Sequence, residues 1–278
     1  VGGGAVKLTV SGTTTINGTI SANGARSSTS DYYSHGSGGG SGGSIWIQTG
    51  SLNGSGNLLA EGGGTINTYY GDGGGGAGGR IALYYSSSSV TLEQISVQGA
   101  KPDGDHTNCQ KGGAGTIFLK NVSATYGDIV VDNEDIVWST SRPRLAKTPL
   151  PSNLTVDNLT ITNFADIEYT SVLNVESSLT VDQKAFFGLS NNATVNNLVV
   201  HHNAYFFNHV GANINYNSLD WTGGILVDNG GTFSMLSGGG NLIVPATSTL
   251  HANVPRSYSG VTINGTLTHT DNTNSDTY

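Results

Sequence analysis

The sequence predicts an all-β chain folded as a parallel β-solenoid, in which short strands stack coil on coil. Three observations lead to this fold class: a composition that disfavours helices, a long sequence repeat in the N-terminal half, and a shorter repeat in the C-terminal half. Forty-two of the 278 residues are Gly, and only 11% are charged. Gly, Asn, Ser and Thr compete with helical hydrogen bonding. The hydrophobic residues, 36% of the chain, recur in short alternating runs typical of strands.

The N-terminal half carries a long repeat. A glycine run leads four times into a short apolar stretch, whose first apolar residues are Val6, Ile45, Ile81 and Ile117. A second marker, at ISANGA, LLAEGG and ISVQGA, keeps nearly the same period at Gly24, Gly62 and Gly99. Two independent markers at one period predict a repeat architecture. Each repeat combines about 20 residues of short strands with a long Gly-rich loop, and the loops span 24–44, 62–80 and 99–116.

The C-terminal half has a shorter repeat, of about 20 residues. Its predicted inward columns are Val175, Val195, Ile214 and Phe233; Leu179, Leu198 and Leu219; and Phe187, Phe207 and Val227. Each column recurs in short alternating runs, which predicts three short strands per coil with side chains alternating in and out. A coil of this size predicts about 14 coils over the whole chain. Asn197 and Ser218, just before the Leu column, are expected to stack at a coil corner.

A Pro- and Arg-rich stretch at 139–152 separates the two halves. Proline cannot donate to a β-ladder, so the stretch is either a domain boundary or a large excursion from a continuous solenoid. The predicted organisation is a solenoid with long loops over 1–138, this stretch, and a solenoid with coils of about 20 residues over 153–278.

The motifs GGGSGGSIWI and GGGGAGGRIAL, with the turns that follow them, resemble Gly-rich parallel β-helix regions of large secreted or cell-surface proteins. Bacterial adhesins and autotransporter passengers contain such regions. The resemblance covers about 1–130 by motif, and 150–278 only by general pattern. It implies adhesion, extracellular scaffolding or glycan contact, and it carries no catalytic motif.

The stacked loops hold the candidate binding residues. Tyr pairs recur one repeat apart, acids lie beside them, and a His takes the equivalent place in the third loop; the set is Tyr32, Tyr33, Tyr69, Tyr70, Asp31, Asp72 and His106. Tyr presents an apolar face and a polar tip, which suits sugar rings and wet interfaces. The alternative is that the Tyr pairs cover their own Gly-rich loops. The glycine runs 38–43 and 73–79 lead into strands, so they are not phosphate-binding loops. They either let another backbone approach closely or give flexibility.

Acidic clusters are candidate calcium ligands, because calcium prefers oxygen donors. The candidates are Asp103, Asp105, Asp132, Glu134 and Asp135, with Asp128, Asp271 and Asp276 in the same kinds of cluster. Solvated surface acids are the alternative. The adjacent His201 and His202 face opposite sides of a strand, so they are not expected to share a metal. No other cofactor is expected.

The leading functional prediction is a structural or adhesive segment of a secreted cell-surface protein, located outside the cell. The alternatives are a self-assembling filament subunit and a β-helix polysaccharide-active enzyme, although no pairing of catalytic carboxylates is evident. Ice binding is disfavoured because Thr ranks do not continue from coil to coil. The expected partners are further coils of the same polypeptide or identical subunits end to end, and surface glycans. The net charge of −8 disfavours nucleic acid, and no apolar run is long enough to span a membrane.

Overall fold

A computed structural model of the chain describes residues 1–28, 36–66, 73–101, 110–134, 136, 146–233 and 240–269. The protein is 53% strand and 1% helical, so the predicted all-β class is confirmed. The chain divides into two compact units, Val1–Thr148 and Pro149–Tyr278. Residues 139–145 of the predicted boundary stretch lie outside the described residues.

The first unit is built from two parallel sheets. The main sheet has the order β1-β3-β5-β7, with β8 added antiparallel to β7, and the smaller sheet has the order β2-β4-β6. A 3₁₀ turn, Leu92–Gln94, precedes β6. The strands are β1 (Ala5–Thr15), β2 (Thr19–Ser21), β3 (Ser44–Asn53), β4 (Asn57–Leu59), β5 (Arg80–Ser88), β6 (Ile95–Ser96), β7 (Thr116–Asn121) and β8 (Asp128–Asp132).

The repeat read from the sequence sets the register of the main sheet. Val6 pairs with Ile45, Ile45 with Ile81, and Ile81 with Ile117, which are the four positions that the glycine-run marker aligns. The inward residues of β3, β5 and β7 at this position are at most 2% exposed. Because one strand cannot cover its own apolar residues, their burial comes from the neighbouring strands of the sheet.

The glycine segments are packed chains and not open loops, over the part that the structure describes. Their backbones form a hydrogen-bonded series across the unit: Gly40 N donates to Ala25 O (2.9 Å), Gly63 N to Gly40 O (2.7 Å), and Gly76 N to Gly63 O (2.9 Å). Gly39 and Gly42 instead donate to the next repeat, at Gly74 O and Ala77 O. The N–H groups of Gly39 and Gly42, three residues apart, thus donate to the same neighbouring segment. A repeat of three residues is typical of a polyproline II helix, which has no internal hydrogen bonds.

Close approach explains why these positions are Gly. A Cβ added at Gly42, Gly76 or Gly78 would lie much closer to a neighbouring carbonyl oxygen than van der Waals contact allows. None of the three has a positive φ. The requirement is therefore space, as one of the two alternatives for the glycine runs predicts.

The second unit also has parallel sheets. The first has the order β9-β11-β13-β15-β17, the second β10-β12-β14-β16-β19-β21, and β18 pairs with β20. The strands are β9 (Leu154–Thr162), β10 (Asp166–Tyr169), β11 (Leu173–Val181), β12 (Phe186–Leu189), β13 (Asn192–His201), β14 (Tyr205–His209), β15 (Asn213–Thr222), β16 (Ile225–Asn229), β17 (Thr232–Phe233), β18 (Asn241–Val244), β19 (Thr249–Ala252), β20 (Gly260–Ile263) and β21 (Thr266–Thr268).

The Leu column of the second unit is confirmed. Leu179 pairs with Leu198, and Leu198 pairs with Leu219. Leu179 and Leu198 are fully buried, whereas Leu219 is half-buried. The predicted stack of Asn197 and Ser218 is also present, since they pair in register and the Ser218 hydroxyl donates to Asn197 Oδ1 at 2.5 Å.

Each of the other two predicted columns contains one wrong pairing. In the first, Val175 pairs with Val195 and Ile214 with Phe233 as predicted, but Val195 pairs with Tyr216, because these strands are offset by 21 residues and not by 19. In the aromatic column Phe207 pairs with Val227 as predicted, but Phe187 pairs with Phe206.

A buried ion pair fastens the segment that follows β19. The Asp228 side chain is 2% exposed, and Arg256 Nε and Nη2 donate to its two oxygens at 2.9 Å each. Arg256 Nη2 also donates to Gly231 O at 2.8 Å. The hydrogen bonds to Asp228 raise the pKa of Arg256, and they outweigh the opposite effect of its partial burial. A bidentate pair of this kind fixes the orientation of both side chains.

Candidate binding face

All the predicted loop-binding residues lie outside the described residues: Asp31, Tyr32, Tyr33, Tyr69, Tyr70, Asp72 and His106. The glycan or partner site assigned to them stays a prediction. The same holds for three calcium candidates, Asp103, Asp105 and Asp135.

The two remaining calcium candidates of this set, Asp132 and Glu134, lie at the end of β8. Asp132 Oδ1 accepts a hydrogen bond from the Glu134 backbone N–H at 2.6 Å, an arrangement that stabilises the turn itself. Within the described ranges, no group of three or more His, Cys, Asp or Glu side chains is placed to hold a metal ion. Calcium binding stays a prediction.

The outer surface of the main sheet in the first unit carries a row of aromatic rings. Alternation along each strand turns Trp46, Tyr84 and Phe118 outward, since the inward residues beside them are buried. The ring centroids of Trp46 and Tyr84 are 5.5 Å apart, and those of Tyr84 and Phe118 are 5.6 Å apart. All three rings are half-buried. We call this row, with the basic residues described next, the aromatic face.

Basic side chains flank these rings. Lys7 Nζ lies 4.8 Å from the centre of the Trp46 ring, a cation–π distance. Lys120 pairs with Tyr84 across the ladder, and its Nζ donates to Thr125 O at 3.0 Å. Arg80 is exposed at the start of β5, on the same side of this strand as Tyr84. The aromatic face therefore combines apolar rings with three positive charges.

No carboxylate balances these charges on the four strands. β1, β3, β5 and β7 contain no Asp or Glu, although the chain holds 19 acids and has a net charge of −8. The acids described in the first unit lie on other elements, such as Glu61 in a turn ladder with Asn23 and Glu93 in the 3₁₀ turn. Asp128 begins β8 and pairs with Leu119, which faces inward on β7. The positive charge is therefore local to this face.

The aromatic face stands on a rigid base. Ile45, Ile47, Ile81 and Leu83, directly beneath it, are at most 1% exposed. The buried Thr49 hydroxyl at the end of the ladder donates to Gly12 O at 2.9 Å. Side chains on a packed sheet keep their spacing better than side chains on a loop, which favours recognition of a repeating ligand.

The second unit holds separate His and carboxylate pairs. His201 Nε2 lies 2.9 Å from Asp220 Oδ1, and His202 Nδ1 lies 2.5 Å from Asp182 Oδ1. The two His side chains have different carboxylate partners. Their rings nevertheless contact each other edge to face, with centroids 5.7 Å apart, so the prediction that they face opposite sides of a strand is wrong: the strand ends at His201, and His202 has a positive φ. The hydrogen bond from His201 is the largest cause that lowers the pKa of Asp220.

An aromatic stack lies nearby on β12 and β14. Phe186 and Tyr205 stack at 4.8 Å with planes 8° apart, and Phe207 continues the stack to His209 at 6.0 Å. His209 Nε2 lies 3.3 Å from Glu168 Oε1. The carboxylate and the imidazole here are partners of each other, so this surface offers less unbalanced charge than the aromatic face.

The sequence analysis does not identify the aromatic face, because it follows only the inward residues of each repeat and the residues of the loops. The signal was present: Trp46 and Phe118 each directly follow an inward residue of the repeat, in SIWI and TIFL. Alternation alone places residues at these positions outside, on the same side of the sheet.

Comparison with known proteins returns no relative: no family model, no curated protein and no solved structure matches the chain. Among the described residues, no helix is long and apolar enough to cross a membrane.

Proposed function

We propose that each unit is a parallel β-solenoid, and that the chain is a structural, ligand-binding segment of a secreted cell-surface protein. The parallel ladders, the buried apolar columns and the glycine packing support the solenoid. The predicted number of about 14 coils assumes a coil of about 20 residues throughout. In the first unit the pairing follows the longer of the two repeats, so we propose fewer coils than that.

The aromatic face is the observation that carries the binding role. Half-buried aromatic rings that lie side by side on a rigid sheet keep part of their apolar surface in water, and at binding surfaces such rings supply a large apolar contact with little loss of side-chain entropy. The proposed activity of this face is to hold a ligand, because its rings and cations supply apolar contact and charge.

The proposed partners include further coils or identical subunits. In the strand order of the first unit, β1 stands at the end of the sheet, and among the described residues only β3 pairs with it. An unpaired strand edge templates further pairing. Light scattering of the isolated chain at rising concentration should show growing association, and a monodisperse species throughout would contradict end-to-end contact.

Binding to polysaccharides tests the proposed function. The full chain is passed over a panel of immobilised polysaccharides, neutral and charged, beside the double variant Trp46→Ala/Phe118→Ala. We expect retention of the wild type on at least one polysaccharide, and a loss of about tenfold in affinity for the variant. Tyr205→Ala, which removes an aromatic ring in the other unit, should bind like the wild type.

Two results would overturn the proposal. One is the absence of retention on every polysaccharide, and the other is equal retention of the wild type and the double variant. Release of new reducing or unsaturated ends from a retained polysaccharide would instead favour the enzyme alternative.

A further inference from the structure

We infer that the aromatic face binds an anionic polysaccharide, one that carries carboxylate or sulfate groups along a chain of sugar rings. This inference rests on the proposed binding function and adds the chemical class of the ligand. Its starting point is the charge distribution: the Lys and Arg side chains on the strands of this face have no Asp or Glu among them, in a chain that is acidic overall.

The spacing of the rings fits a linear ligand. Ala82 pairs with Trp46 on one side and Phe118 on the other, so a small side chain lies between two large ones along the ladder. The Tyr84 ring lies diagonally between these two rings, with its centroid 5.5 Å from that of Trp46 and 5.6 Å from that of Phe118. The row follows the stacking direction of the strands, about 4.8 Å per strand. We expect the CH faces of successive sugar rings to pack on this row, in which the planes of neighbouring aromatic rings are 47° and 59° apart.

The basic residues surround the row. Lys7 lies at the Trp46 end, Lys120 at the Phe118 end, and Arg80 on the flank of Ala82. Arg pairs in a planar, bidentate manner with carboxylate and sulfate groups, and Lys acts as a point charge. A ligand with a regularly spaced anionic group therefore meets apolar contact and charge together. A neutral polysaccharide would use the rings alone.

Single-stranded nucleic acid is the main competitor, since its bases stack on aromatic side chains. Its affinity depends on many phosphate contacts and counterion release. Three cations over four strands on a chain of net charge −8 give a low density of positive charge. The density suits the sparser charge of a uronate or sulfated polysaccharide better.

The test uses the full chain and four soluble probes in binding calorimetry or affinity electrophoresis. Polygalacturonate supplies carboxylates, dextran sulfate supplies sulfates, dextran is the neutral match of dextran sulfate, and oligo-dT is the nucleic acid. The charge variant is Lys7→Gln/Arg80→Gln/Lys120→Gln. Its matched control is Lys184→Gln, an exposed lysine of the second unit that also lies over an aromatic ring, 5.4 Å from Phe164.

We expect binding to polygalacturonate or dextran sulfate at least about tenfold tighter than to dextran, and weaker in high salt. The polysaccharide preferred of the two identifies the anionic group. The charge variant should lose about tenfold or more in affinity, and Lys184→Gln should match the wild type. The thermal unfolding midpoint of the charge variant should stay close to that of the wild type, because Lys7 and Arg80 are exposed and the half-buried Lys120 loses a single exposed hydrogen bond.

Three results would overturn the inference. If dextran binds as tightly as dextran sulfate and the charge variant keeps full affinity, the face binds neutral sugars, and the proposed function survives while the inference fails. If oligo-dT binds more tightly than both anionic polysaccharides, the ligand class is wrong. If no polysaccharide binds at all, the proposed function fails with it.

Discussion

Replacing Gly76 by Ala tests the close packing of the glycine segments. The added Cβ would lie 2.6 Å from the carbonyl carbon of Gly40, closer still to its oxygen, and 3.0 Å from Gly63 N. The neighbouring atoms are backbone, so they have little room to move. Gly76 also takes part in two hydrogen bonds, its N–H donating to Gly63 O at 2.9 Å and its O accepting from Ala100 N at 2.8 Å.

The expected loss in free energy of unfolding is about 1 to 5.5 kcal/mol, the sum of three effects. Overpacking costs about 1 to 3 kcal/mol, and each strained hydrogen bond about 0.5 to 1.5 kcal/mol. Reduced entropy of the unfolded chain offsets about 0.4 to 1 kcal/mol of this cost. The matched control is Gly4→Ala, where nothing lies within 4 Å of the added Cβ and φ is not positive. There we expect a change within about 1 kcal/mol.

Urea unfolding followed by far-UV circular dichroism measures both variants. Because the chain has two units, hydrogen exchange of the peptide that spans 73–101 assigns the effect to the first unit. Gly76→Ala should lower the midpoint and speed exchange in this peptide, and Gly4→Ala should do neither. Equal midpoints for the two variants would refute close packing and restore the picture of flexible loops.

The other stability predictions concern the second unit. Leu198→Ala removes a fully buried side chain and should cost about 2 to 5 kcal/mol in urea unfolding. Arg256→Ala leaves the Asp228 carboxylate buried without its ion pair, and should cost about 3 to 5 kcal/mol; Arg256→Ala/Asp228→Ala should recover part of this loss, and no recovery would contradict the pairing. The hydrogen bond from His201 lowers the pKa of Asp220. The pair therefore stabilises the fold fully at pH values above the ordinary Asp pKa, and this stabilisation is lost as pH falls through the lowered pKa. Asp220→Asn should therefore flatten the decline of stability as pH falls below the ordinary Asp pKa, and an unchanged pH profile would contradict this.

The sequence predicts the register of the first unit well because its repeat is marked twice. The apolar positions and the turn glycines give the same period, so Val6, Ile45, Ile81 and Ile117 align without ambiguity. The second unit lacks such markers at two points. Equal spacing places Val195 opposite Ile214, but the coil is longer there and the partner is Tyr216.

Doubled aromatic residues explain the other error. In FFG and YFFN, either Phe of a pair satisfies an apolar column, so equal spacing selects Phe207 opposite Phe187, whereas the strand register places Phe206 there. For the glycine runs the composition predicts two alternatives, flexibility or the close approach of another backbone, and does not choose between them. Only the positions of neighbouring backbones distinguish the two.

The candidate site was the least predictable part. The Tyr and Asp residues of the loops drew attention because they recur, whereas the aromatic face is made of different residues on each strand: Lys7, Trp46, Ala82 and Phe118 share one column. A column without a repeated residue type leaves no periodic signal. Its members are recognised only after the register is fixed.

The register of β3 and β5 positions the aromatic face, and a disulfide tests it most directly. Ser51 and Ser87 pair across these strands, with hydroxyl oxygens 3.0 Å apart. In a Cys109→Ser background, Ser51→Cys/Ser87→Cys should oxidise to an intramolecular disulfide, seen as a mass loss of about 2 Da and a higher unfolding midpoint. Ser51→Cys/Ser86→Cys, whose second cysteine lies on the opposite face of β5, should stay reduced under the same conditions. Efficient oxidation of the control, or none of the paired variant, would contradict the register and the face built on it.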